Sequence, residues 1–162
     1  VSFTNQILTK LFLYGIVGSV SVALCCITVA AAFGTEAGGN LLTPLDVGMI
    51  FIICELTVLA QTCLSVWADI KSPTFNVGGD GELVAANKNV ALALFTGIFT
   101  AVIYGVFAMV FSFNGLAIGK LVIDMQPAEV YGVLIGVSAA LLIASASLLF
   151  VNLDKRYHKI VP

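Results

Sequence analysis

Four stretches of this chain, Leu11–Phe33, Gly48–Ala68, Val90–Phe113 and Tyr131–Leu153, hold only one charged side chain between them, Glu55. Each is roughly 20–24 residues long, which at helical rise crosses a hydrocarbon core about 30 Å thick. Membrane β-strands are about half that length and alternate strictly in polarity. These runs are apolar all round. A helix satisfies every backbone hydrogen bond within its own segment, so it is the form such runs take in lipid. The expected fold is an all-α integral membrane protein. A single domain, residues 1–162, carries four transmembrane helices in an antiparallel bundle with short loops.

Composition agrees and excludes other classes. Hydrophobic residues make up 60% of the chain and charged residues 10%, against about 45–50% and 25% in soluble domains. Mean hydropathy is +1.09. Seven Lys plus Arg against nine Asp plus Glu give a net charge of −2. No basic surface exists to hold phosphates, so nucleic acid is excluded as a partner. A soluble enzyme and a disordered tail are excluded by the same numbers.

The connections 34–47, 69–89 and 114–130 carry turn chemistry: Gly38-Gly39-Asn40 and Thr43-Pro44, then Ser72-Pro73 and Gly78-Gly79-Asp80-Gly81, then Asn114-Gly115 and Gln126-Pro127. A small hairpin is expected around Gly78–Gly81, and a short interfacial helix before the first span, where Phe3, Ile7 and Leu11 recur at helical spacing. Lys10, Lys71, Lys88, Lys155, Arg156 and Lys159 fall on one side of the four spans and Lys120 alone on the other. Basic residues stay cytoplasmic, so both termini are expected in the cytoplasm. The first run is too long for a signal-peptide core and is expected to remain as a span.

Lipid tails are as apolar as leucine, so close backbone approach, permitted by small residues, holds membrane helices together. Small residues recur every fourth position in three spans: Gly15, Ser19 and Ala23 in the first, Ala93, Gly97, Ala101 and Gly105 in the third, and Gly132, Gly136, Ala140 and Ala144 in the fourth. These are the candidate packing faces, toward their own chain or a neighbour. The second span differs. Glu55, Thr62 and Asp69 lie seven apart and form one polar stripe, with Gln61 about a third of a turn away. No Lys, Arg or His matches Glu55 in depth. The expectation is a neutral carboxyl donating its proton to a carbonyl or hydroxyl, because a bare charge there costs several kcal/mol. Candidate partners are Ser21 and Thr28 on the first span and Thr96, Thr100 and Tyr104 on the third.

Catalytic and metal chemistry finds little footing. His158 is the sole histidine and lies in the C-terminal tail, so no histidine-built haem or zinc site is expected. Cys25, Cys26, Cys54 and Cys63 all sit inside spans and read as buried thiols. Hydroxyls and thiols have no base beside them for nucleophilic catalysis. The leading expectation is therefore a non-enzymatic tetraspan protein, a structural or accessory subunit of a larger membrane assembly or a membrane-organising protein. Its partners are the lipid bilayer and other membrane subunits or further copies of itself. Two alternatives stay open: an ion- or proton-conducting subunit using Glu55, and a subunit that binds a cofactor or pigment.

Overall fold

The computed structural model describes residues 3–35, 41–71, 88–113, 116–118, 121–123 and 125–151. Four helices dominate: α1 (Phe3–Phe33), α2 (Pro44–Lys71), α3 (Lys88–Phe113) and α4 (Pro127–Val151), with strands β1 (Leu116–Ile118) and β2 (Leu121–Ile123) between α3 and α4. All four helices are long and apolar enough to cross a membrane. They overrun the charge-free runs at several ends. α1 starts at Phe3, so the separate lead-in helix expected before Leu11 is instead the first turns of the span itself. Helical hydrogen bonding does not stop where hydrocarbon does, and Lys side chains reach outward from such ends.

The helix starts follow from local sequence. At α2, Thr43 and Asp46 form a reciprocal capping box around Pro44: the Thr43 amide donates to Asp46 Oδ2 at 2.8 Å and the Asp46 amide to Thr43 Oγ1 at 3.3 Å. Gln126-Pro127-Ala128-Glu129 repeats half of it at α4, where the Gln126 amide donates to Glu129 Oε2 at 3.0 Å. At the end of α1, the Gly34 amide closes on Ala30 O at 2.8 Å. A Cβ at Gly34 would stand 2.7 Å from that same oxygen, so only glycine fits.

α2 is the hub, packing against α4, α1 and α3, whereas α3 and α4 meet more sparsely. Along α1, Ile7, Gly15 and Ser19 meet α2 at Val66, Leu59 and Glu55, so one number rises as the other falls. Between α2 and α4 the numbers rise together: Ile53 packs with Val130 and Leu134, and Val66 with Leu149. Two apolar clusters result, one at each end of the hub. Ile7, Val66 and Leu149 form the first, and Ile53, Val130 and Leu134, flanked by Tyr104, Phe107 and Phe111, the second. The outside is also apolar: Phe12, Phe95 and Phe99 are about 70% exposed, at 71%, 72% and 67%. Water would penalise such a surface.

The connection 114–130 contains a hairpin that its turn residues alone did not suggest. Leu116 pairs with Ile123, Ala117 with Val122 and Ile118 with Leu121, antiparallel. The hairpin expected around Gly78–Gly81 lies outside the described residues.

Candidate functional site

The polar side chains of α2 do not act as one stripe. They leave the hub in three directions. Toward α1, Ser19 Oγ donates to Glu55 Oε1, while Glu55 Oε2 is buried with no partner among the described residues. Ser19, singled out for its size, is thus the acid's partner. Ser21 and Thr28, two of the expected partners, turn back on their own helix and donate to Val17 O at 2.8 Å and Leu24 O at 2.9 Å. The α3 candidates are engaged elsewhere. The single proton of Thr96 Oγ1 is shared between Gln61 Oε1 at 3.0 Å and the Leu92 and Ala93 carbonyls of its own helix at 2.9 and 3.0 Å, and Gln61 Nε2 donates to Thr100 Oγ1 at 3.4 Å. Tyr104 reaches α4.

Toward α4, Ser138 is fully buried and lies 3.3 Å from Thr57 Oγ1 and 3.0 Å from the Tyr104 hydroxyl. Thr57 Oγ1 also donates to Ile53 O at 2.8 Å. One order of protons satisfies the whole chain: Tyr104 donates to Ser138, Ser138 to Thr57, and Thr57 to the backbone. A buried hydroxyl without such a partner carries a desolvation penalty, so this triad ties α2, α3 and α4 together at one depth. Thr62, expected beside Glu55 on a polar path, donates to Val58 O of its own helix at 2.9 Å. Asp69 is half-buried near the far end of α2.

The small-residue faces divide. Gly15, Ser19 and Ala23 lie toward the inside of the fold, and the space of a Cβ at Gly15 falls 3.8 Å from Leu59. Gly18, one position from the ladder, makes the closest approach, where an added Cβ would overlap Val58 Cγ1. On α3, Ala93 and Gly97 are half-buried, and Ala101 and Gly105 are exposed. On α4, Gly132, Gly136, Ala140 and Ala144 are all exposed, and nothing lies within 4 Å of a Cβ built at either glycine. The seam of α4 is made instead by Val130, Leu134, Ser138, Ser145 and Leu149.

All four helices line a cavity of about 750 Å³. Cys26 on α1, Ile53 and Gln61 on α2, Gly97 on α3 and Tyr131 on α4 mark its walls. Cys25 and Cys54 border it too; the four cysteines are free thiols, but only Cys26 is buried as expected, Cys54 and Cys63 are half-buried, and Cys25 is exposed because it lies on the outward side of α1. Among the described residues no three His, Cys, Asp or Glu side chains converge to hold a metal ion. Lys71 stands 4.7 Å over the Trp67 ring at the opposite end of α2.

Comparison with protein-family models, curated proteins and solved structures finds no match.

Proposed function

We propose that this chain is a non-enzymatic four-span membrane protein, built as an antiparallel bundle with both termini in the cytoplasm, that serves as a structural or accessory subunit of a larger membrane assembly. The observation that carries this reading is the outward face of α4. Gly132, Gly136, Ala140 and Ala144 form an exposed strip of small residues, with open space above both glycines, while a different set, Val130, Leu134, Ser138, Ser145 and Leu149, makes that helix's own seam. The comparable strip on α1 is used against α2. A second helix could approach the α4 backbone as closely as α2 approaches Gly15.

The test is the native mass of the particle extracted in mild detergent. The wild-type chain is expected above the 17.0 kDa of a single copy. Gly132→Leu with Gly136→Leu is expected to reduce it to one copy with helix content unchanged. A wild-type particle of one chain and nothing else refutes the subunit reading.

One observation favours conduction as a second reading: the buried Oε2 of Glu55, which has no partner among the described residues. It predicts a proton or cation flux in proteoliposomes that Glu55→Gln abolishes. The subunit reading predicts no flux in either.

A further inference from the structure

The cavity among the four helices has a shape that points to its occupant. Its lining on α2 runs from Ile50 to Gln61, about 16 Å at 1.5 Å per residue. That is close to half of a 30 Å hydrocarbon core, the depth of one leaflet. It is bordered by Ile50, in the second turn of α2, and by Pro127, the first residue of α4. It ends near Gln61, whose bonds to Thr96 and Thr100 draw α2 and α3 together. No charged side chain lines it. Gly97 adds open space to the α3 wall.

A transmembrane helix does not suit this space. A spanning helix needs a groove through both leaflets, about 30 Å, whereas this lining covers about 16 Å of α2. An empty apolar void forfeits dispersion contacts along its walls. In hydrocarbon, the molecule at hand to restore them is a lipid tail. The rim adds a second constraint. Tyr131, in the lining, interacts with the Asp46 carboxylate. The Asp46 carboxylate, held against the lining by Tyr131, favours a headgroup carrying an ammonium and disfavours an anionic one.

We infer that this cleft holds the acyl chain of a phospholipid with an ammonium-bearing headgroup, seated in the leaflet at the Pro44 and Pro127 end. The inference rests on the bilayer-spanning reading above. It assigns the lipid to a defined site within the bundle, distinct from the lipid that surrounds any membrane protein.

Native mass spectrometry tests it, on the full chain reconstituted with phosphatidylcholine and phosphatidylglycerol of identical chains and then diluted in detergent. Membrane insertion is followed separately by carbonate extraction. The wild type is expected to keep about one phosphatidylcholine per chain, favoured about two- to fivefold over phosphatidylglycerol, the scale of an exposed ion pair. Gly97→Leu and Ala101→Phe, which fill the cleft, are each expected to lose that lipid, and Val102→Phe, on the outer face of α3, to retain it. Asp46→Asn is expected to erase the headgroup preference while leaving the tail bound. An inserted wild-type chain with no retained lipid overturns the inference and leaves the bilayer-spanning reading standing. So does retention unchanged in both cleft-filling variants, equal or greater retention of phosphatidylglycerol, or added mass that proves to be polypeptide. A chain that carbonate extracts from the membrane overturns both.

Discussion

Gly18→Ala adds one methyl group where α1 and α2 come closest. That methyl would overlap Val58 Cγ1. Valine in a helix holds one strongly preferred rotamer, so Val58 yields only at a cost. Overpacking of this kind costs about 1–3 kcal/mol. Alanine also returns about 0.8–1.0 kcal/mol of helix propensity relative to glycine. The net is a destabilisation of about 0–2 kcal/mol. Gly105→Ala isolates the propensity term, because nothing lies within 4 Å of a Cβ there. It is expected to stabilise by about 0.8 kcal/mol. The difference between the two variants, about 1–3 kcal/mol, reads packing directly. Truncating the obstacle with Val58→Ala is expected to remove most of the clash, giving a coupling of about 1 kcal/mol in the double-mutant cycle. Reversible unfolding in mixed micelles, titrated with sodium dodecyl sulfate and followed by helical circular dichroism, measures each term. Equal stabilities for Gly18→Ala and Gly105→Ala, or strict additivity of Gly18→Ala with Val58→Ala, would refute the close approach.

Three further variants probe the polar contacts and the cap in the same titration. Ser138→Ala removes the hydroxyl shared by Thr57 and Tyr104 and is expected to cost about 1–2 kcal/mol, against about 0.6 kcal/mol for Tyr104→Phe, which breaks one interhelical bond. Ser19→Ala removes the one side-chain partner Glu55 has among the described residues and is expected to cost about 1–2 kcal/mol; Glu55→Gln keeps an acceptor for Ser19 and is expected to cost less. Asp46→Ala dismantles the α2 capping box, with an expected loss of about 1 kcal/mol and faster amide exchange at residues 45–47.

The four helices were legible because length and freedom from charge are strong signals; α2, α3 and α4 overrun their runs by at most four residues at an end, and α1 by eight at its start. The contacts were less so. Periodicity places residues on a face but does not say which neighbour that face meets. Glu55, Thr62 and Asp69 share a heptad stripe, yet Thr62 satisfies itself within its own helix. Gln61, off the stripe, hydrogen-bonds α2 directly to α3. Ser138 stands one residue beyond Val137 in a run rich in small residues, and nothing in the sequence distinguishes it from Ser145 or Ser147. Its role arises from the register of α4 on α2. The α4 ladder shows the same limit. Four-residue spacing marks Gly132 through Ala144 as a face, and the fold turns that face outward. The hairpin of 116–123 did leave a trace: β-branched and apolar residues flank Gly119-Lys120, and glycine leads the commonest two-residue hairpin connections of one type.

The hub arrangement of α2 is tested most directly by disulfide cross-linking in membranes, on a background with the four native cysteines replaced by alanine. Paired cysteines at Gly15 and Leu59, at Thr57 and Ser138, and at Gln61 and Thr96 are predicted to cross-link rapidly, each joining α2 to a different helix. A pair at Gly18 and Gly97, on facing walls of the cleft, is predicted to stay reduced under the same oxidant. Rapid closure of that last pair, with slow reaction of the three on α2, would contradict the architecture.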